Sequence, residues 1–589
     1  MKLSDYVIDF LVQQNIKHIF EMTGGGITHL LDSTYSRDDI DCVSIHHEQA
    51  GAFAAEAYAR INGKLGVAMA TSGPGALNLL TGIGSCYFDS VPCLFITGQV
   101  NTYEYKYDKK VRQIGFQETD IVSVVKPLTK FAKLVIGPEK IRYYLEKAVY
   151  IAQTGRPGPV LLDLPMDLQR AEIDPIQQES FFESEEYQQL VQEETYDEFQ
   201  LDEIIDLMKH SKRPLILVGG GVRTANATKE LLELVRMTNF PVVSSLMGID
   251  SFNHEFQEYI GMIGSYGNRY SNLALANSDL ILILGSRLDT RQTGTRPDTF
   301  GRAAKKIHID IDALELNEKV KVDIAIRASL KSFLQKLNEE LTENWSITNI
   351  SGWYSTLNLY KTTYPTAIYQ EESINPNWFM ERLSEYMESE DIISLDVGQH
   401  QMWASQSLKL KDGQRLLNSG GMGAMGFALP AAIGAYMAKK QGHAIVIAGD
   451  GGIQVNIQEL DTIVYNELPI KVIIMNNQSL GMVRQFQDLY FEKRRQSTVI
   501  SKPNFPEIAK AYGLKTFVIN NVESVDKVLE KVFLEEGPVL VDVSIDSDVI
   551  VNPKLVVNKP IEDMSPHLDR DELKNLMLID MVEEMDIPK

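Results

Sequence analysis

The sequence predicts an α/β protein made of three consecutive doubly wound parallel-sheet units. Short apolar runs alternate with helix-period patterns along most of the chain, the rhythm of parallel strands covered by helices. Two polar stretches, 171–197 and 346–376, interrupt that rhythm and divide the chain into thirds. Asp450 and Asn477 each follow an apolar run, Ala444–Ala448 and Val472–Met475. Neighbouring parallel strands would carry both to the carboxyl edge, where such sheets bind ligands.

In the first unit, residues 1–170, Ser4 or Asp5 can cap a helix with Val7, Phe10 and Leu11 at helical spacing. The apolar runs Lys17–Phe20, Gly66–Ala70, Cys93–Thr97 and Val160–Leu164 read as strands. Residues 171–197 carry Glu183, Glu185, Glu186, Glu193 and Glu194 with almost no packing pattern, and read as a solvated linker. The second unit, 198–345, has strands at Pro214–Val218, Leu280–Leu284 and Ile307–Ile311. The first of these ends in Gly219-Gly220-Gly221, a weak dinucleotide-turn signal on its own. Residues 346–376 read as a second linker, 377–546 as a third unit with the Asp/Asn pair, and 547–589 as a Pro- and Asp-rich tail with no assigned chemistry.

The bulk properties narrow the function classes. The 589 residues are 44% hydrophobic and 23% charged, ordinary for a globular protein. A net charge of −23 argues against nucleic acid or an anionic membrane as partner, since phosphate surfaces need clustered Lys and Arg. The three cysteines, Cys42, Cys86 and Cys93, show no metal-type spacing and suit a reducing compartment. The start lacks a signal-peptide pattern and no apolar run is long enough to span a bilayer, so the expected location is the cytoplasm.

The chemistry begins at Gly449-Asp450-Gly451 and Asn476-Asn477. Mg²⁺ takes oxygen ligands in near-octahedral geometry and commonly shares them with a phosphate. Alone, Gly-Asp-Gly is more often a turn. With the second arm at this separation it resembles the diphosphate–Mg²⁺ motif of thiamine-diphosphate (ThDP) enzymes. The strings His47-Glu48-Gln49, Thr71–Ala76, Asp89–Pro92, Thr97–Val100, Phe116–Asp120, Val397–Trp403 and Gly423–Phe427 extend that resemblance over nearly the whole chain. In order and spacing they are similar to the acetohydroxyacid (acetolactate) synthase family.

The resemblance implies a pyrimidine-binding first unit, a central unit and a diphosphate-binding third unit. Glu48 is then the acid that contacts the cofactor's aminopyrimidine, with Gly25 and Gln117 as its catalytic companions above the thiazolium. Gly24, Pro74, Asn78, Val397, Gly398, Gln399, His400, Gly423, Met425, Gly449, Gly451 and Gly452 are implied to hold the cofactor. Met425 props its rings, and Asp450, Asn477 and Ser479 hold Mg²⁺. Phe116, Arg291 and Phe486 face substrate. The implied reaction is decarboxylation of a 2-keto acid, pyruvate, with transfer of a two-carbon unit to a carbonyl acceptor. A homodimer or homotetramer with interchain sites is implied too. The loop Asn101–Gly115 holds no histidine to protonate a product, which favours carbon–carbon bond formation over simple decarboxylation.

Against the family pattern, Phe486 stands where most members carry Trp, Met166 where Lys is usual, and Asn101 where Pro is usual. Thr290 replaces an acidic neighbour of Arg291. The loop to Phe116 is longer than usual and interleaves Tyr103, Tyr105 and Tyr107 with Lys106, Lys109, Lys110 and Arg112. It reads either as a solvated excursion or as a site for a larger, phosphorylated or nucleotide-linked keto-sugar. FAD stays open. Arg156, Gly219–Gly221 and His308–Asp312 are compatible with a flavin unit, whereas Gly264-Ser265-Tyr266-Gly267 and Met166 depart from it and lean against tight binding. A flavin-dependent pyruvate oxidase and a non-catalytic scaffold are the remaining alternatives.

Overall fold

The computed structural model describes residues 1–35, 37–193, 196–345 and 349–582. It holds three six-stranded sheets, each parallel throughout, and one short antiparallel pair near the C-terminus. Their central strands are apolar on both faces because helices cover both sides: Ile445, Val446 and Ile447 are fully buried.

The first sheet runs, in space, Asp41–Ser44, His18–Met22, Gly66–Ala70, Cys93–Gln99, Val160–Pro165, Phe131–Leu134. The third runs Arg415–Asn418, Ile392–Leu395, Ala444–Gly449, Ile470–Asn476, Val539–Ser544, Lys515–Ile519. Counted within each unit, both have the order 2-1-3-4-6-5. The chain therefore reverses its winding between the first and third strand of each, which opens a crevice at the carboxyl edge. The middle sheet runs Ile324–Arg327, Lys305–Asp310, Leu280–Leu284, Pro214–Val218, Val242–Ser244, Tyr259–Met262. It reverses between Pro214–Val218 and Leu280–Leu284, beside Gly219–Gly221.

The first and third units share one core. The helix Glu48–Asn62 buries Ala50, Ala52, Ala54, Ala55 and Ala57, and its small side chains let the helix Ala428–Lys439 approach closely. A Cβ on Gly434 would lie 1.9 Å from the Ala54 carbonyl oxygen, so only glycine permits this approach. Phe53 meets Phe427 edge to face at 5.3 Å.

The two expected linkers and the tail carry more structure than their composition suggested. Within 171–193, Phe181 is fully buried between Tyr143, Tyr150 and Tyr187, and a helix covers Glu185–Glu193. Glu186 there pairs with Lys147 at 2.5 Å, and Glu194 lies outside the described residues. A few aromatics anchor this segment to the helix Ile141–Gln153, too sparsely to make a periodic signal. The expected second linker contains the helix Ser351–Thr363, whose Trp353, Leu357 and Tyr360 are buried in the central core. Their spacing is helical, and the polar residues between them masked it. The tail packs on the central unit through Ile561, Leu573 and Met577, and Arg269 donates to the carbonyls of Met564 and Pro566. Among the described residues no helix is long and apolar enough to cross a membrane.

Candidate active site

The structure gathers most of the expected site residues, though not Arg291, into two clusters beside the winding reversals of the first and third sheets. In the first unit, Gly24 and Gly25 follow the strand His18–Met22, and the turn Thr71–Pro74 follows the neighbouring strand Gly66–Ala70. Thr71 ties the two loops together, its Oγ1 accepting from the Gly26 amide at 3.0 Å. Glu48 opens the helix Glu48–Asn62 behind an N-cap, His47, whose ring nitrogen accepts from the Gln49 amide. The Glu48 side chain is buried, and its Oε2 accepts from Asn78 Nδ2 at 2.9 Å. A Cβ on Gly75 would sit 3.0 Å from Glu48 Oε1, and one on Gly73 3.0 Å from the Gln117 side chain. Glu48, Pro74, Asn78, Gln117 and Gly24 thus converge, and the space over Gly25 is open. Phe116 is 85% exposed beside them.

The loop Asn101–Gly115 is anchored by one residue that sequence reading passed over. Buried Glu118 accepts from the backbone amides of Lys106, Ile114 and Gly115, tying the middle of the excursion to its far end, while Asp167 accepts from the Thr102 amide at its start. Tyr105 and Tyr107 pack edge to face at 5.1 Å, while Tyr103 and Tyr107 face solvent.

In the third unit the registers fulfil the strand-end expectation. Gly449 pairs with Met475 on adjacent parallel strands, so Asp450 and Asn477 leave the same edge together. Burial pushes the Asp450 carboxyl up to about 6, and backbone amides of Gly451, Gln478 and Ser479 oppose that rise. Its Oδ2 is buried without a hydrogen-bond partner. Asn477 Oδ1 accepts from the Ser479 amide at 3.2 Å, and Asn477 Nδ2 donates to Gln399 at 2.9 Å. An unpartnered buried carboxylate oxygen beside an amide oxygen is a donor set that fits a hard divalent cation. It contains a single carboxylate, which is why no cluster of three His, Cys, Asp or Glu side chains marks it among the described residues.

Val397, Gly398, Gln399 and His400 follow the adjacent strand Ile392–Leu395 and turn into the helix Gln399–Ser407. Burial lowers His400 to about 3, so the ring is neutral, and its Nε2 has no partner. A Cβ on Gly449 would meet that ring at 2.8 Å, so the backbone lies directly against it. An unpaired ring nitrogen and a bare backbone cradle fit a diphosphate. Asp396, missed in the sequence, organises the cradle: its carboxylate accepts from the amides of Val397, Gly426 and Ala428. It thereby fixes the loop that carries Gly423 and Met425. The side chain of Asp396 also closes on Gly452, and Met425 Cε lies 3.7 Å from the Cβ position of Gly451. Only a lone Asp after a strand marks Asp396 in the sequence.

The two clusters ride on separate sheets but are tied through the neighbours of Glu48. The His46 amide donates to Glu459 at 3.1 Å, and Asn456 Nδ2 donates to both Gln49 and the Gly426 carbonyl. Arg291 is not with either cluster. It lies in a cleft where the central unit meets the other two, with Gly220, Gly221, Tyr266, Arg287 and Asp310 from the central unit and Asp89, Arg156 and Met402 from its neighbours. Phe486 lies on the helix Gly481–Tyr490, whose first residue abuts Gln399 and Asn477. In the cleft, Arg156 pairs with Asp312 at 3.1 Å and Glu315 at 2.6 Å, and burial raises Asp310 to about 6.

Comparison with known proteins matches this architecture unit by unit. Residues 1–124 match the N-terminal TPP binding domain of thiamine pyrophosphate enzymes, 201–337 their central domain and 396–543 their C-terminal TPP binding domain. The acetolactate synthase large subunit of Lactococcus lactis subsp. lactis is 37% identical over 587 residues, covering 99% of this chain and 98% of the relative. The chloroplastic acetolactate synthase of Arabidopsis thaliana is 37% identical over 561 residues, 92% of this chain and 81% of the relative. The large subunit of Haemophilus influenzae is 33% identical over 582 residues, 95% and 99% respectively. With two crevices of matching topology, one holding Glu48 and the other Asp450 and Asn477, the chain belongs to the acetolactate synthase family of ThDP-dependent enzymes.

Proposed function

We propose that the protein uses ThDP and Mg²⁺ to decarboxylate pyruvate and to join the remaining two-carbon unit to a second carbonyl compound, the acetolactate synthase type of reaction. The observation that carries this reading is the unpartnered Asp450 Oδ2, at the same strand edge as Asn477 and one strand away from the unpartnered His400 Nε2. ThDP, when bound, supplies the electron sink that decarboxylation of a 2-keto acid requires.

The protein's part is to bind, orient and move one proton. Asp450, Asn477 and the Ser479 carbonyl would hold the cation, and Gly398, His400 and the Gly449–Gly452 backbone the diphosphate. Glu48, oriented by Asn78, would hold the proton that passes to and from the cofactor's pyrimidine. Met425 would support the cofactor from the third unit, and Gln117 and Gly25 would line the space beside it. Phe116, exposed in the single chain, would be covered by a second copy and keep water from the reacting carbon.

Exposed apolar residues beside both clusters, among them Leu77, Tyr87, Phe88, Met422 and Tyr465, suit a homodimer or homotetramer whose sites form between chains. Three unpaired cysteines agree with a reducing, cytoplasmic setting.

A keto-sugar acceptor is a second reading. It is favoured by Phe486, Tyr490 and Phe491, which leave a partly exposed aromatic wall next to the third-unit cluster. For FAD the central cleft fits only in part: the glycine turn is in place, but Arg156 is committed to two acids and Asp310 adds a third. We read this as weak flavin retention, and purified protein should lack the flavin band near about 450 nm.

The deciding experiment incubates the protein with pyruvate, ThDP and Mg²⁺ and measures CO₂ and acetolactate, with and without added keto-sugars. Absence of CO₂ release under all conditions would sink the reading.

A further inference from the structure

The tail places a cation where no acid meets it. Lys554 lies in the short strand Lys554–Leu555, paired antiparallel with Met564–Ser565. Its ammonium sits 5.6 Å from the Phe486 ring centre and 5.8 Å from those of Tyr490 and Tyr266. The residue is 8% exposed, and burial lowers its pKa. Among the described residues no carboxylate pairs with it. A buried ammonium facing only ring faces keeps an unmet demand for an anion.

That demand opens onto a cleft of about 710 Å³, within the range of small-molecule sites. Besides Lys554, its charged lining is Asp488, Lys493, Arg495 and Asp548. Arg495 engages both acids, Asp488 at 2.7 and 2.8 Å and Asp548 at 3.5 Å. Among the described residues neither Lys493 nor Lys554 makes an ion pair, and three cations against two acids leave the lining a net positive charge of one. Phe486 and Tyr490, partly exposed on the same helix as Asp488, hold the Lys554 ammonium over their rings, and Leu489 of that helix lines the cleft. Beneath the wall, buried Arg484 donates through Nη2 to Val549, and its Nε and Nη1 are unpartnered. It adds to the positive potential without lining the cleft.

The position of this cleft relates it to the cofactor cluster. The helix Gly481–Tyr490 starts against Asn477 and Gln399, and Phe486 lies about 8 Å further along at 1.5 Å per residue. A ligand reaching from the cofactor cluster to Lys554 therefore spans on the order of 10 Å.

The geometry points to this cleft as the binding site for the phosphate end of a phosphorylated acceptor, with Lys554 as its anion-binding residue, held against the rings of Phe486 and Tyr490. An ammonium offers a compact point charge to phosphate. Calling the ligand an acceptor rests on the carboligase reading above. The anion site does not depend on it. The same chemistry serves a sugar phosphate and a nucleotide-linked sugar.

The test uses holoenzyme saturated with ThDP and Mg²⁺ and titrates it calorimetrically with uridine diphosphate and, separately, inorganic phosphate. Uridine diphosphate should bind, and Lys554→Met should weaken it by about tenfold or more, the size of one charge-assisted contact. Lys554→Arg should stay within about threefold of the parent, since the charge is kept. ThDP affinity should be unchanged in each variant, and Lys554→Gln replaces Lys554→Met if the latter does not fold. Phosphate competing as well as uridine diphosphate assigns the site to sugar phosphates, and much tighter uridine diphosphate binding assigns it to nucleotide-linked sugars. Either outcome supports the site. No uridine diphosphate or phosphate binding to the parent, or equal affinity in Lys554→Met, overturns it. CO₂ release from pyruvate is followed in the same samples, so failure of the carboligase reading shows there independently.

Discussion

Glu48 shows how much a single side chain is asked to do. Its carboxylate has one hydrogen-bond donor, Asn78, and otherwise faces the space where the cofactor ring would lie. Glu48→Gln keeps the shape and that contact but cannot exchange a proton. We expect CO₂ release to fall by about 100-fold or more, the usual scale of general acid–base catalysis, with ThDP affinity within a few-fold of the parent in a fluorescence titration. A second residue, Asp163, makes stability depend on pH. It is buried in the strand Val160–Pro165 with Thr97 and Gln99 as its hydrogen-bond donors. Burial raises its carboxyl from 3.8 to about 7. The native state thus keeps a proton that the unfolded chain loses near pH 4. Its contribution is full below that value and is lost as pH rises to about 7. Asp163→Asn should flatten the melting-temperature profile over that window, and an unchanged slope would assign the dependence elsewhere.

At the scale of elements, the decisive contact is the crossing of helices Glu48–Asn62 and Ala428–Lys439. One begins with Glu48 and the other follows directly on the Met425 loop, so the crossing fixes how a single chain holds its two half-sites relative to one another. Gly434 has no room for even a methyl group against Ala54. Gly434→Ala should cost about 1–3 kcal/mol by overpacking, read as a lower melting temperature, and should weaken ThDP binding in parallel. Loss of stability with ThDP affinity intact would show that the crossing does not set the site. The Asn101–Gly115 loop is tuned differently: Glu118 pins its middle and far end while Tyr103 stays in solvent, so loop chemistry can change without disturbing the sheet.

For the whole molecule, the question is which chain supplies which half of the site. Glu48→Gln and Asp450→Asn each disable one half. If sites form between chains, a mixed dimer holds one site with both residues intact. Equal mixing after dissociation and reassembly should then restore about a quarter of parental activity, because half the dimers are mixed and each has one working site. No recovery after verified subunit exchange would place both halves in a single chain.

The sequence by itself determined the three-sheet class and the strand-end placement of Asp450 and Asn477. These rest on local signals, apolar runs ending in short polar strings, that survive without tertiary context. It could not show that Phe181 and the Trp353, Leu357 and Tyr360 face are core, because a few anchors among polar residues leave little periodicity to read. Nor could it find Asp396, Glu118 or Lys554. Each acts through groups remote in sequence or on backbone amides, so its role exists only once the sheets and the tail are folded against one another. Tertiary structure alone decided those, because burial and charge pairing belong to the packed chain and not to any stretch of it.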